Sequence, residues 1–140
     1  MFVGTFEHSL DDKGRVVLPT AFRSRLSDGG YLGPYENCLA LWTPDQFQEF
    51  VARLEEKVRS READHNALRA LSARVADVRP DAQGRIVVPP KLRSYAGLVD
   101  QAVITGALNH IELWSPGRWD EISSQGDASL ADAIATLGIH

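Results

Sequence analysis

The chain is poor in the residues that build disulfides and metal centres. Its single cysteine, Cys38, cannot form an internal disulfide, and we expect it to be a small core residue. The four histidines are scattered along the sequence at His8, His65, His110 and His140. Neither pattern resembles the ligand spacing of a metal site. We therefore expect no metal and no cofactor.

Long hydrophobic runs and catalytic motifs are absent too. No apolar run approaches the roughly 20 residues that cross a bilayer, and Met1 to Glu7 lack the basic and then apolar order of a signal peptide. We expect a cytoplasmic protein without a membrane partner, built as one compact body. The sequence has no nucleophile elbow, no phosphate-binding glycine loop and no His-x-x-x-His pair. We predict no catalytic residue, no small-molecule substrate and no enzyme activity.

The chain also lacks the positive charge typical of nucleic-acid-binding proteins, since its net charge is −4. All of the excess negative charge lies after Trp119, where the chain has no lysine or arginine and four acidic residues: Asp120, Glu121, Asp127 and Asp132. Residues 10–25 carry four basic against two acidic side chains, and residues 79–94 carry four against one. Because the local field decides where a polyanion binds, these two segments keep DNA binding possible.

What the chain does have is an internal repeat. The segment from Asp11 to Ser24 returns as Asp81 to Ser94 at a constant offset of 70, and Leu41-Trp42-Thr43-Pro44 returns as Leu113-Trp114-Ser115-Pro116. Such a duplication predicts a pseudo-symmetric body with two copies of each surface feature. We divide the chain into a first repeat with its helix (1–59), a helical bridge (60–73), a second repeat (74–122) and an acidic tail (123–140).

Each repeat predicts the same local elements. In the first, an alternating strand, an Asp-x-Lys-Gly turn and the β-branched run Arg15 to Leu18 indicate a β-hairpin that ends at Pro19 and is followed by a short helix. Thr43 to Gln46 form the pattern of a capping box, so a helix is expected there. In the second repeat we expect this helix to stop near Ile122 and the tail to be loosely held or to pack on a neighbour. The tryptophans fit core packing better than base stacking.

The turn between the two strands of each hairpin carries the strongest chemical signal. Its glycine permits a positive φ, its aspartate can brace the arginine, and the arginine fork can bind guanine O6 and N7 together. The basic turn residue Lys13 suits a phosphate, whereas Gln83 in the second copy makes that turn weaker. The candidate DNA-binding residues here are Asp11, Lys13, Arg15, Asp81, Gln83 and Arg85. The alternative is a purely structural turn whose aspartate pairs with its arginine in solvent.

Further basic residues follow each turn. Arg23 and Arg93, with Arg25 and Lys91 beside them, could extend the positive strip along a phosphate backbone. They could equally be solvated charges on a short helix. We retain Arg23 and Arg93 as candidate DNA contacts.

The two Asp-x-x-Gly-Arg segments and the Leu-Trp-Thr/Ser-Pro segments resemble the bacterial MraZ family over residues 1 to about 122. MraZ proteins are similar to the AbrB group of swapped-hairpin transcription factors. The resemblance implies a mixed α+β, mainly β fold: two tandem AbrB-like repeats that form a pseudo-two-fold β-barrel with flanking helices. It also implies a ring-shaped homo-oligomer and a regulator of a division and cell-wall gene cluster that contains its own gene. The family motif falls on Asp11 and Arg15, and again on Asp81 and Arg85.

Two functions therefore stand at this point. The first is a sequence-specific regulator, associated with the nucleoid, that binds short direct repeats in double-stranded DNA through its hairpin tips, with many copies acting together. The second is an oligomeric interaction or scaffold module that binds no nucleic acid, which the acidic net charge favours.

Overall fold

The computed structural model describes residues 1–139, and these form a mixed α+β fold. The strands are β1 (Thr5–Ser9), β2 (Arg15–Val17), β3 (Gly30–Pro34), β4 (Leu39–Trp42), β5 (Ala76–Val78), β6 (Arg85–Val87), β7 (Gln101–Gly106) and β8 (Ile111–Trp114). The α-helices are α1 (Thr20–Arg23), α2 (Pro44–Arg59), α3 (His65–Arg74), α4 (Pro90–Ala96) and α5 (Pro116–Leu137). A 3₁₀ turn at Ser24–Leu26 follows α1.

Six of the strands form one antiparallel sheet in the order β1-β7-β8-β4-β3-β5. The first strand of each repeat pairs with the third strand of the other repeat: β1 with β7, and β5 with β3. The equivalent strands β4 and β8 meet at the centre, where Leu39 lies opposite Leu113. The repeats are therefore interleaved, and neither half can complete its sheet alone.

The remaining strands, β2 and β6, pair with each other in a separate two-stranded ribbon. The predicted local hairpins are therefore wrong, since β1 and β2 meet only through a single bridge between Leu10 and Val16. Pairing β2 with β6 places Val16 opposite Ile86, and both side chains are 1% exposed. The ribbon thus buries the apolar face of both repeats at once, which a hairpin within one repeat does not do.

The main core joins the two repeats under the ribbon. Phe22 and Leu92, from the short helices that follow β2 and β6, are both buried in it. Phe22 also receives edge-on contacts from Phe2 and Phe6, with ring centroids 5.3 Å apart in each pair. Each such buried apolar side chain contributes about 1.5–3 kcal/mol relative to exposure. One shared core makes residues from both repeats a single packing unit.

Two parts of the expected architecture are not found. The six-stranded sheet has free edges at β1 and β5, and no ladder closes it into a barrel within residues 1–139. The fold is also not mainly β, because helices hold more residues than strands. The β2–β6 ribbon forms a ladder separate from the six-stranded sheet. The two repeats therefore exchange strands without closing a barrel.

The helices α2 and α5 begin at the capping residues that the sequence predicted. Thr43 Oγ1 accepts from the Gln46 backbone N–H at 3.3 Å, and the Thr43 backbone N–H donates back to Gln46 Oε1 at 3.5 Å, which confirms the capping box. Ser115 caps α5 through the Arg118 backbone N–H. The expected end of α5 near Ile122 is wrong. The helix continues to Leu137 because no proline or left-handed residue interrupts it before Gly138, where φ is +63°.

Buried aromatic and sulfur side chains occupy the positions that the sequence indicated. Trp42 and Trp114 are 2% and 6% exposed, which confirms their core role. Cys38 is fully buried, and this burial raises the pKa of its thiol far above the ordinary value. No helix among residues 1–139 combines the length and apolar character that a bilayer crossing requires.

Candidate nucleic-acid interface

The turn that precedes β2 is organised around one carboxylate. Asp11 Oδ1 accepts from the backbone N–H groups of Lys13 at 3.0 Å and of Arg15 at 2.8 Å. Its other oxygen, Oδ2, accepts from Arg15 Nε at 2.6 Å. The Gly14 backbone N–H closes the turn on the Asp11 carbonyl. Asp11 therefore fixes both the turn and the direction of the arginine side chain.

The turn that precedes β6 repeats this geometry. Asp81 Oδ1 accepts from the backbone N–H groups of Gln83 and Arg85, both at 2.9 Å, and Oδ2 accepts from Arg85 Nε at 2.9 Å. The Gly84 backbone N–H donates to the Asp81 carbonyl. The structure thus presents the same braced arginine twice.

These hydrogen bonds alter the acidity of both aspartates. The backbone N–H of Arg15 is the largest of several influences that lower the pKa of Asp11 below its ordinary value. The backbone N–H of Arg85 has the same effect on the pKa of Asp81. A carboxylate that accepts several N–H groups is favoured in its charged form. Both braces are therefore charged at neutral pH.

The ribbon brings the two arginines to one surface. Arg15 lies opposite Val87, and Arg85 lies opposite Val17. Opposed residues of an antiparallel pair project to the same face, so all four side chains share the face that points away from Val16 and Ile86. Diagonal neighbours in such a pair lie about 7–8 Å apart. The face therefore displays the two arginines as diagonal neighbours, with a valine opposite each.

The arginines are held at one end and reach solvent at the other. Their side chains are 30% exposed for Arg15 and 29% for Arg85. The pairing with aspartate uses Nε. Within residues 1–139, the Nη groups of both donate to no protein acceptor. A guanidinium fixed at Nε leaves its outer N–H groups for a planar acceptor pair.

Lys13 and Gln83 occupy equivalent exposed positions in the two turns. Lys13 carries a charge to the end of the ribbon, whereas Gln83 carries a neutral amide. The two ends of the interface are therefore alike in geometry and different in charge.

Arg23 and Arg93 lie behind the turns and not at their exposed tips. Both are half-buried, and each packs against the turn glycine of the other repeat: Arg23 against Gly84 and Arg93 against Gly14. Arg23 Nη2 also donates to the Leu18 carbonyl at 2.9 Å. The structure brings six of the eight candidate residues to the exposed turns and ribbon face, and places these two beneath them.

Val17 and Val87 belong to the candidate interface and were missed from the sequence. Val87 is 52% exposed. The sequence pattern could have identified them, because residues two apart in a strand share a face and both valines stand two positions after a turn arginine. Their apolar surface can contact a thymine methyl group.

Comparison with known proteins assigns the chain to a family. The family described as "MraZ protein, putative antitoxin-like" matches residues 1–70 and 73–137. The chain belongs to the MraZ family. Three proteins named Transcriptional regulator MraZ are similar to it over nearly their whole length. The protein of Roseiflexus castenholzii is 38% identical over 94% of this chain and 92% of its own.

The other two relatives cover even more of the chain. The Herpetosiphon aurantiacus protein is 37% identical over 99% of this chain and 100% of its own. The Thermomicrobium roseum protein is 39% identical over 98% of this chain and 99% of its own. The MraZ family consists of transcriptional regulators and is not enzymatic, as the sequence predicted.

Proposed function

We propose that this chain is a DNA-binding transcriptional regulator whose β2–β6 ribbon face enters the major groove. A two-stranded β-ribbon fits the width of that groove, and an arginine fork bound to guanine O6 and N7 is the commonest specific contact there. The single observation that carries the proposal is the pairing of Arg15 with Val87 and of Arg85 with Val17. That pairing presents two aspartate-braced arginines on one face.

Charge and aspartate bracing divide the interface into two kinds of contact. Arg15 and Arg85 read bases, because their direction is fixed by Asp11 and Asp81. Lys13 contacts a phosphate, because it is exposed at the turn and its ammonium is a point charge with flexible reach. Gln83 supplies a weaker, uncharged contact at the second turn. The acidic residues of α5 lie in a different part of the chain and leave the ribbon locally basic.

The test is a fluorescence anisotropy titration with duplex DNA from the region upstream of the chain's own gene. Arg15→Ala should lose about 1–3 kcal/mol of preference for the specific site over random duplex. Arg59→Ala is the matched control, because Arg59 is an exposed arginine on α2 that pairs with Glu56, away from the ribbon. A folded Arg15→Ala variant that retains full discrimination would refute the interface.

Salt dependence separates the base contacts from the phosphate contacts. Each neutralised phosphate adds a slope of about −0.9 to the plot of log K against log salt. Lys13→Ala should make the slope shallower by about that amount and weaken binding equally on all sequences. Gln83→Lys should make the slope steeper. If neither variant changes the slope, the turns do not contact phosphate.

We further propose that the chain acts as a homo-oligomer, ring-shaped, on short direct repeats upstream of a division and cell-wall gene cluster. Support for self-association comes from α5, whose outer part exposes an apolar row at helical spacing: Ile122, Leu130, Ile134 and Leu137. Covering each such side chain stabilises an interface by about 1.5–3 kcal/mol before ordering costs. Several linked ribbons would then bind repeats with high effective concentration.

Light scattering coupled to size exclusion tests the assembly. Leu130→Ser with Ile134→Ser should shift the mass toward the monomer, whereas the control Val99→Ser removes an exposed valine outside α5 and should not. A mass that stays at 15.4 kDa for the unaltered chain would refute self-association.

The alternative is a scaffold that oligomerises without binding DNA, and the apolar row on α5 favours it equally well. The same chromatography with added upstream duplex distinguishes the two functions. Co-migration of DNA supports the regulator, and an unchanged assembly that excludes DNA supports the scaffold.

A further inference from the structure

Each turn glycine is enclosed by the opposite repeat. Gly14 and Gly84 are buried although the turn residues before them are exposed, and their φ angles are +76° and +79°. A Cβ placed on Gly14 would lie 1.7 Å from Arg93 Nη1, and a Cβ on Gly84 would lie 2.3 Å from both Cζ and Nε of Arg23. No space separates the guanidinium groups from the two turns.

Backbone hydrogen bonds hold the same glycines from the other side. The Val88 backbone N–H donates to the Gly14 carbonyl at 2.8 Å, and the Leu18 backbone N–H donates to the Gly84 carbonyl at 2.9 Å. Each turn peptide is thus clamped between the end of the opposite strand and an arginine of the helix that follows it. The contact is reciprocal between the two repeats.

We propose that Arg93 is a positioning residue for the turn that carries Arg15, and Arg23 for the turn that carries Arg85. This proposal deepens the proposed function and rests on it for the DNA readouts. A flat guanidinium packed on a glycine fixes the height and tilt of the turn. The orientation of the turn then sets the direction of the aspartate-braced arginine at the next position. Neither Arg23 nor Arg93 is a phosphate contact under this assignment.

Burial and bonding support the positioning role over a phosphate role. Arg23 Nη2 is used by the Leu18 carbonyl, and its Nε is shielded from solvent without a protein partner among the described residues. A phosphate contact needs exposed N–H groups, and on the same two segments the exposed basic residues are Arg25, whose guanidinium lies over the Phe2 ring, and Lys91. Arg23 and Arg93 are half-buried because the turns cover them.

The decisive variant is Arg93→Lys, which keeps the charge and removes the planar group. Lysine would preserve a phosphate contact, because an ammonium binds phosphate well, but it cannot pack flat on Gly14. Positioning by Arg93 therefore predicts that Arg93→Lys lowers the preference for specific DNA about tenfold. It also predicts an unchanged salt slope. Full discrimination in Arg93→Lys, together with a slope reduced by about 0.9 in Arg93→Gln, would overturn the assignment.

Hydrogen exchange gives a readout that needs no DNA. In Arg93→Lys, the backbone amides of Lys13, Gly14 and Arg15 should exchange about tenfold faster, while those of Gln83, Gly84 and Arg85 should not change. Arg23→Lys should give the mirror pattern. Lys91→Ala is the matched control, because it removes an exposed cation from the same helix as Arg93 and should change neither turn.

The two measurements separate failure of positioning from failure of DNA binding. Unchanged exchange at residues 13–15 in Arg93→Lys overturns the positioning role, whatever the DNA result. Faster exchange at that turn, in a protein that binds no DNA even when unaltered, keeps the positioning role and refutes the proposed function. Should Arg93→Lys fail to fold, Arg23→Lys provides the same test in the other repeat.

Discussion

Arg15 and Val87 are directly opposed across the β2–β6 ribbon, although they belong to different repeats. The same strand pair places Arg85 opposite Val17, so the exposed face has an approximate two-fold pattern. A single hairpin would display one arginine. The exchange of strands between repeats is what makes a two-arginine surface, and each arginine keeps its own aspartate.

The aspartate brace can be tested without changing the arginine. Asp11→Asn removes the charge that holds Arg15 Nε, so the arginine should become mobile and the preference for specific DNA should fall. Asp12→Asn is the matched control, since Asp12 is the exposed neighbour in the same turn. Competition titrations against random duplex measure the ratio. Equal ratios for the two variants would show that bracing has no part in recognition.

The lowered pKa of Asp11 and of Asp81 predicts a pH dependence with a defined sign. The pKa of an unfolded aspartate is about 3.9, so below that pH the unfolded chain binds protons that the folded turns still exclude. The stabilisation is fully present above the unfolded pKa and is lost as the pH falls through the lower folded pKa. Carboxyl carbon titrations by NMR should show both values below those of the urea-unfolded chain.

The Asp11 carboxylate accepts hydrogen bonds from both the backbone and the side chain of Arg15, and a variant can separate their effects on its pKa. The backbone N–H of Arg15 lowers the pKa of Asp11 more than the Arg15 side chain does. Arg15→Gln should therefore raise the pKa of Asp11 only part of the way to its ordinary value. A complete return would mean that the side chain, and not the turn backbone, stabilises the carboxylate.

Two glycines of the chain should respond to alanine in opposite directions. Gly14→Ala places a Cβ against Arg93 and 2.9 Å from the Val88 carbonyl oxygen at a positive φ, and should destabilise the fold by about 1–3 kcal/mol. Gly126 lies inside α5, and a Cβ there meets no atom within 4 Å. Gly126→Ala should stabilise the helix by about 0.5–1 kcal/mol. Urea unfolding of both variants measures the difference, and a neutral Gly14→Ala would contradict the enclosed turn.

Cys38 should not react with thiol reagents in the folded protein. Its side chain is fully buried and its pKa is raised by that burial, so little thiolate is available. Treatment with a thiol-reactive chromogenic disulfide should give no signal at pH 8 until urea unfolds the chain. Rapid labelling of the native protein would show that the buried cluster of Cys38, Val103 and Trp114 opens readily.

Local features of this fold could be predicted because short-range chemistry determines them. The capping box at Thr43 depends on residues three positions apart, and the turn at Asp11 on residues within four. The apolar neighbours of Trp42 predicted its burial, and the lack of a second cysteine or a metal cluster indicated that Cys38 is a core residue; both are buried. An acidic tail without aromatic residues favours an early end of α5 near Ile122, but α5 continues to Leu137 because no helix stop precedes Gly138.

The duplication, the two Asp-x-x-Gly-Arg turns and the side chains that they carry can be identified from the order of residues alone. The pairing of β2 with β6, the shared face of Arg15 and Arg85, and the contact of Arg93 with Gly14 became known from the folded molecule. Strand periodicity could not predict the pairing, because the two repeats have the same strand pattern and a partner in either repeat fits equally well. The choice between them is made by the burial of Val16 and Ile86 in one shared core, which is a property of the whole fold.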